Sequence, residues 1–377
     1  MSADADAPVA EHVQIPTKPQ MRDLGAVRPQ LQAWLRARIP GGGGLEVVDV
    51  RLPTGAGVAN ETLLVTANLG GQEQGYVVRV GTTYHLFLGM DVAVHYKLYK
   101  VLEGEPHIPS PPLVGFEPDN SLFGEPFFVM RRVEGKVPAD NPHFYKAGWV
   151  LELTADERAQ LWRNTVELMS KVHKLDLAKV AFLERPHLGR TGLEQEMNHW
   201  IEYAKWCGGD SRPIVRQACQ WLIDNMPKDP PAGFSWGDSR PPNVIYQGVT
   251  PAALLDWDMV SLAGPECDLA WWTVMDLKKG SRHESPRPAG LGTPRQTIAL
   301  WEEFMGRKAQ NLDWHLVLNA LRSRLVMVRL PTMLQAQGLI TAEQAAVLDS
   351  GEMEWLEGLL DRPMADTFGS AWAGWDQ

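Results

Sequence analysis

Asp238 and Asn243 stand out in the stretch Phe234-Ser-Trp-Gly-Asp-Ser-Arg-Pro-Pro-Asn-Val-Ile-Tyr246, and Asp256 follows in Leu254-Leu-Asp-Trp-Asp258. Two acceptor-only carboxylates and one amide oxygen make a hard-oxygen set suited to Mg²⁺, which keeps several waters and usually binds beside substrate phosphates. Asp and Asn are also the commonest turn residues, so any one of them alone reads as a turn. The ordered set, with strand-like apolar runs at 244–246 and 253–255, reads instead as chemistry on phosphates.

The elements that must position this set fall into two groups. Before it, a polar arm over 1–20 leads to an amphipathic helix over 24–39, with Leu31, Trp34, Leu35 and Ile39 at three- and four-residue spacing. Pro40 and the run Gly41–Gly44 stop that helix; without a following Gly-Lys-Ser/Thr, the glycines are a linker and not a phosphate loop. Strands follow at 45–52, 62–68 and 75–80, the first two joined by a turn holding Gly55, Gly57 and Asn60. Glycine there lets the backbone approach a ligand closely. A helix over 90–102 and strands at 113–116 and 127–131 complete a small antiparallel sheet unit. From Thr154-Ala-Asp-Glu157, a capping box, the pattern is mainly helical: 154–173, 192–206, 212–226, 267–275, 294–305, 314–335 and 341–360. Residues 281–293 form a basic, Gly/Pro-rich loop placed to act as a mobile lid. Fourteen of the fifteen tryptophans follow residue 148, so the large aromatic surface belongs to the helical part. Tryptophan is core more often than ligand platform, and none is assigned to binding.

Composition narrows the class. A formal charge of −10 argues against nucleic acid as the main partner. Three cysteines, Cys207, Cys219 and Cys267, show no paired or metal spacing and suit a reduced protein. No apolar run approaches the ~18 residues of a membrane span, and the N-terminus lacks the basic-then-apolar order of a signal peptide. The expectation is a cytoplasmic protein, monomer or homodimer, with no membrane partner.

This order of features resembles the aminoglycoside phosphotransferases and their choline-kinase-like relatives, which share the protein-kinase fold. The likeness runs from about Leu45 to Trp272 and is nearest to the broad bacterial branch of aminoglycoside phosphotransferase-like proteins. It implies an α+β bilobal fold: a small antiparallel β-sheet lobe with one main helix, and a larger, mostly helical lobe. The expected division is an N-terminal arm and helix over 1–44, a nucleotide-binding lobe over 45–134, and a helical lobe with the acceptor site over 135–377. The resemblance assigns Gly55, Gly57 and Asn60 to the glycine loop and Arg79 to the strand-three cation. Met130, Arg131 and Arg132, within Phe127-Phe-Val-Met-Arg-Arg-Val-Glu-Gly135, correspond to the hinge beside adenine. Asp238 and Arg240 become the expected catalytic pair, Asn243 and Asp256 the metal ligands, and Asp268 a structural residue. Three positions depart from the family pattern. Trp236 stands where His is usual, Arg79 replaces Lys, and His95 occupies the helix position that normally carries a Glu, with Asp91 one turn earlier as the nearest carboxylate.

The resemblance implies Mg²⁺-dependent phosphoryl transfer from ATP, with GTP as the other donor, to a hydroxyl of a small molecule. Aminoglycoside-like antibiotics are among the acceptors it suggests. Two rivals stand beside it: a nucleotide-binding pseudokinase without transfer, and a metal-dependent hydrolase, which generally needs histidine ligands not evident here.

Overall fold

Five antiparallel strands form a sheet in the order β1-β2-β3-β5-β4, from β1 (Glu46–Arg51), β2 (Glu61–Leu69), β3 (Gln72–Val80), β4 (Leu113–Glu117) and β5 (Phe127–Arg131). The structure, a computed structural model, describes residues 23–53, 61–89, 91–140, 142–280, 286–350 and 353–360. Gly55, Gly57 and Asn60 therefore lie outside the described residues, as do residues 281–285 of the basic loop.

Period-two alternation gives the sheet two working faces. Tyr76, Val78 and Val80 of β3 point into one core with Leu31, Trp34 and Leu35 of α1 (Leu24–Arg38). That helix is part of the sheet unit: Trp34 packs on Phe127 with ring centroids 5.2 Å apart, and Arg28 Nε donates to the Val47 carbonyl at 2.6 Å. Asp23 caps it, its carboxylate accepting from the Gly25 and Ala26 amides. The other face carries Val77 and Arg79 and meets α2 (Val92–Leu102), whose Leu98, Tyr99 and Leu102 pack with Phe128 and Met130.

The remainder is helical around one hairpin: α3 (Ala155–His173), α4 (Gly192–Trp206), α5 (Pro213–Asp224), α6 (Pro265–Met275), α7 (Pro294–Met305), α8 (Leu312–Ala336), α9 (Ala342–Ser350) and α10 (Met353–Leu360). The Thr154/Glu157 capping box forms as its spacing predicts. The stretch expected as one helix over 341–360 contains two, α9 and α10, with residues 351–352 outside the described residues. The hairpin, β6 (Val244–Gln247) with β7 (Thr250–Leu254), follows directly on Asn243 and ends two residues before Asp256. Gly135 joins the sheet unit to it. A Cβ there would lie 2.5 Å from the Tyr246 carbonyl oxygen, and the exchange of backbone bonds between Lys136 and Tyr246 (2.9 and 2.8 Å) needs that closeness. The fold is α+β and bilobal, as the sequence predicts.

Candidate active site

Asp268, in the first turn of α6, holds the 234–243 loop from beneath. Its carboxylate accepts the Trp236 amide at 2.7 Å and the Gly237 amide at 2.8 Å, and its carbonyl accepts Ser239 Oγ at 2.8 Å. Behind it, His173 Nε2 lies 2.8 Å from Asp268 Oδ2, while Trp301 Nε1 donates to His173 Nδ1 at 2.8 Å. An indole nitrogen only donates, so Nδ1 is the acceptor and the His173 proton sits on Nε2, directed at Asp268. Gly237 has φ 98°, and a Cβ there would lie 2.1 Å from the Met259 carbonyl oxygen. Only glycine fits this turn.

The turn presents Asp238 with both carboxylate oxygens held and acceptor capacity left on Oδ2. Oδ1 accepts from Arg240 Nε at 2.8 Å and Trp271 Nε1 at 2.5 Å; Oδ2 accepts from Asn243 Nδ2 at 2.6 Å. Three donors from three directions fix its orientation. Arg240 reaches on to Asp140, Nη1 to Oδ1 at 2.5 Å. Desolvation alone would lower the Arg240 pKa, but Asp238 and Asp140 overcome it and drive it upward, so the guanidinium stays charged.

Asn243 and Asp256 come together through the hairpin, where the Leu255 amide donates to the Asn243 carbonyl at 2.9 Å. Asp256 holds φ +60°, a left-handed conformation sparsely used by residues with a Cβ. Desolvation, then the carboxylates of Asp258 and Asp238, raise its pKa well above the ordinary range, and Arg79 offsets part of this. Crowded acidic oxygen of this kind fits a cation. Among the described residues no group of three or more His, Cys, Asp or Glu side chains is disposed to hold a metal ion. One carboxylate and one amide oxygen suit an ion that retains waters and takes its other ligands from phosphates. Asn243 Nδ2 also donates to the Asp238 carbonyl at 2.9 Å, which leaves Oδ1 as the amide's metal-capable atom.

Trp236, in the place of the usual His, is fully buried, and its indole N–H donates to the Leu255 carbonyl at 2.9 Å. The ring thus ties the Asp238 turn to the strand leading to Asp256. Arg79, on the inner face of β3, donates to Thr62 Oγ1 at 3.1 Å and lies 3.5 Å from Asp258 Oδ2. His95 lies 3.5 Å from the other Asp258 oxygen. Burial, then Arg79, lowers its pKa to about 3, so it is a neutral neighbour. Asp91 is spent elsewhere, capping α2 through the Val94 amide at 2.9 Å. The strand-three cation therefore pairs with the 254–258 loop and not with α2.

At the expected hinge, Met130 is buried, and the backbone amides of Arg131 and Arg132 donate to Pro112 (2.7 Å) and Gly75 (2.9 Å). Their side chains engage Gln74 at 2.5 Å and Glu134 at 2.8 Å.

Beyond Arg240 lies a pocket, partly open to solvent, whose walls include Tyr145, Trp162, Trp272 and Met275. Asp276 sits in its wall, paired with Arg287 (Nη2 to Oδ2, 2.7 Å) and accepting Tyr145 Oη at 2.5 Å. Arg322 lies under the whole turn, fully buried between Trp200 and Trp271 at 5.2 Å from each ring and bonded to Cys267 Sγ at 2.9 Å.

Spacing alone singles out none of Asp140, Asp258, Trp271, Asp276, Arg287 or Arg322. Asp258 had a signal, since it stands two residues from Asp256 in the same stretch; the others meet the site only through packing.

A sequence profile described as the phosphotransferase enzyme family matches residues 52–293. Among solved structures, a protein of Ralstonia eutropha, assigned by inference to the aminoglycoside phosphotransferases, superposes with TM-score 0.66 at 19% identity, covering 88% of this chain and 96% of its own. A macrolide 2′-phosphotransferase of Brachybacterium faecium gives 0.52 at 15% identity, with 89% and 97% covered. An aminoglycoside phosphotransferase in ternary complex with AMP-PNP and hygromycin B gives 0.51 at 15% identity, with 88% and 98% covered. These likenesses establish a kinase-like fold. Curated relatives carry another name: acyl-CoA dehydrogenase family member 11 of Homo sapiens is 24% identical over 221 residues, 56% of this chain and 27% of that protein. Member 10 of Mus musculus is 23% identical over 210 residues, 53% of this chain and 19% of that protein. The chain thus spans about a quarter or less of the length of these relatives.

Proposed function

The chain belongs to the phosphotransferase enzyme family, and from that premise we propose that it moves the γ-phosphate of ATP, or of GTP, to a hydroxyl of a small molecule. The observation that carries this reading is the Asp238 carboxylate, aimed by Arg240, Trp271 and Asn243 in a turn fastened by Asp268. Asp238 holds the acceptor hydroxyl and takes its proton as the oxygen bonds to phosphorus; the bond from the γ-phosphorus to the bridging oxygen breaks, and ADP leaves. Such transfers pass through a loose transition state, so the protein's contribution is positioning and charge neutralisation. Asn243 Oδ1 and Asp256 would hold Mg²⁺, which when bound neutralises phosphate charge. Arg79, kept in place by Asp258 and Thr62, would share in neutralising the same phosphates. The nucleotide-binding lobe in this reading is 45–134 and the acceptor lobe 135–377.

The neighbour captured with AMP-PNP and hygromycin B supports a nucleotide donor and a hydroxylated acceptor. Because the curated relatives are named acyl-CoA dehydrogenases, acyl thioesters that carry a hydroxyl join aminoglycosides and macrolides as acceptors to be tried. The test is a screen for ADP formation across these classes, repeated with Asp238→Ala. Loss of the positioned base should slow transfer by about a thousandfold while nucleotide binding persists. Turnover unchanged in Asp238→Ala sinks the assignment, and nucleotide binding with no transfer in the wild type favours the pseudokinase.

A further inference from the structure

We propose that the acceptor presents its hydroxyl on an uncharged, apolar body that enters the pocket beside Arg240, and that cationic acceptors are disfavoured there. The inference rests on the phosphoryl-transfer reading above and concerns what that site takes. Arg240 lines the pocket and bonds Asp238 at 2.8 Å, which puts the pocket one side chain away from the proposed base. Apart from Arg240, Asp276 and His143, much of the wall is apolar or aromatic: Phe144, Leu161, Trp162, Trp272, Met275 and Leu291.

A polyammonium substrate needs carboxylates that are not already neutralised. Among the described residues Asp276 is the only carboxylate lining the pocket, and Arg287 grips both of its oxygens, at 3.0 and 2.7 Å, while Tyr145 Oη donates to it as well. Asp140, behind Arg240, is bonded to that guanidinium at 2.5 Å. In α7, neither Glu302 nor Glu303 lines this pocket, and each is ion-paired, Glu302 with Lys308 and Glu303 with Arg163. Bringing an ammonium into such walls strips its water without supplying a counter-charge, which is costly. An apolar body loses nothing there and gains by burial. Trp162, Leu291 and Gly292 also line a second depression with Ala299, Leu300 and Glu303, whose carboxylate is held by Arg163 at 3.1 Å, so an elongated body can continue past the 290–292 segment.

The experiment uses pairs of alcohols with one carbon skeleton and one hydroxyl, ending in a methyl group or an ammonium group, together with an aminoglycoside. With saturating MgATP, kcat/KM is read from ADP release, in the wild type and in Asp238→Ala. The neutral member of each pair is expected to exceed its ammonium partner by roughly tenfold or more. Leu291→Asp, a change at a half-buried loop position, places an unneutralised carboxylate in the wall. It should lower kcat/KM for the neutral alcohols by roughly tenfold, leave the KM for ATP unchanged, and shift preference toward the ammonium partner. Asp238-dependent turnover that prefers cationic acceptors overturns the pocket inference and leaves the transfer reading standing, as does a preference in Leu291→Asp equal to the wild type's. No Asp238-dependent turnover with any acceptor, neutral or cationic, overturns the transfer reading itself.

Discussion

Asp258 lies two residues beyond Asp256, 3.5 Å from the Arg79 guanidinium of β3 and 3.5 Å from His95 of α2. Asp258→Asn keeps the shape and removes the charge, leaving Arg79 free to wander from the phosphate path. We expect its KM for ATP to rise about tenfold, the equivalent of about 1.4 kcal/mol, with kcat much less affected; steady-state kinetics with ATP varied decide it. Trp236→Phe tests the substitution most at odds with the family pattern. It keeps the buried ring and loses the bond to the Leu255 carbonyl, so a loss of about 1 kcal/mol by urea unfolding is expected. At this scale the spacing of Asp238, Asn243 and Asp256 was legible, because all three sit within one hairpin's length of chain. Which carboxylate would face Arg79 was not. Along α2 the nearest carboxylate in sequence is Asp91, but helix geometry turns that side chain to its own N-terminal amides, and only the folded turn brings Asp258 within reach.

Elements place these residues by a few tight contacts. Gly237→Ala sets a methyl group against the Met259 carbonyl at φ 98°. A loss of about 3 kcal/mol or more, or failure to fold, is expected, seen as a lowered urea midpoint. Arg287 fastens the described part of the basic loop: it binds Asp276, Tyr145 Oη at 2.5 Å and the Gly292 carbonyl at 3.0 Å. Arg287→Ala should speed amide exchange across 288–292 and raise the acceptor KM, without changing exchange in α6. Equal protection of 288–292 in both proteins would contradict this. Strand and helix positions were largely legible from periodicity and the Thr154 cap, and α4 spans the expected 192–206. The pocket was not legible. Its tryptophans come from α3 and α6, which approach through packing that no local pattern encodes, and a tryptophan's role as core or wall depends on which helix meets it.

On the scale of the molecule, the two lobes meet through Gly135, the Lys136–Tyr246 backbone bonds and the Arg79–Asp258 pair, and buried titratable groups couple the assembly to pH. Burial lowers the pKa of His199 and of His315 to about 4, against about 6.5 in the unfolded chain. Unfolding therefore takes up protons between those values, and this contribution to stability is full above about pH 6.5 and lost as the pH falls toward 4. Asp256 and Asp276, both raised by burial, oppose that slope, so a difference between variants isolates the histidine. The destabilisation caused by His315→Gln, followed by Tm, should shrink from pH 7.5 to pH 4.5; a constant difference would contradict it. The central claim, however, concerns where the phosphorus goes. It is tested most directly by following ³¹P in a reaction of MgATP with an accepted alcohol, wild type beside Asp238→Ala. The wild type should give one phosphomonoester for each ADP, and the variant neither, while still binding nucleotide. ADP accompanied only by inorganic phosphate, or a phosphomonoester formed equally well by the variant, would contradict the account.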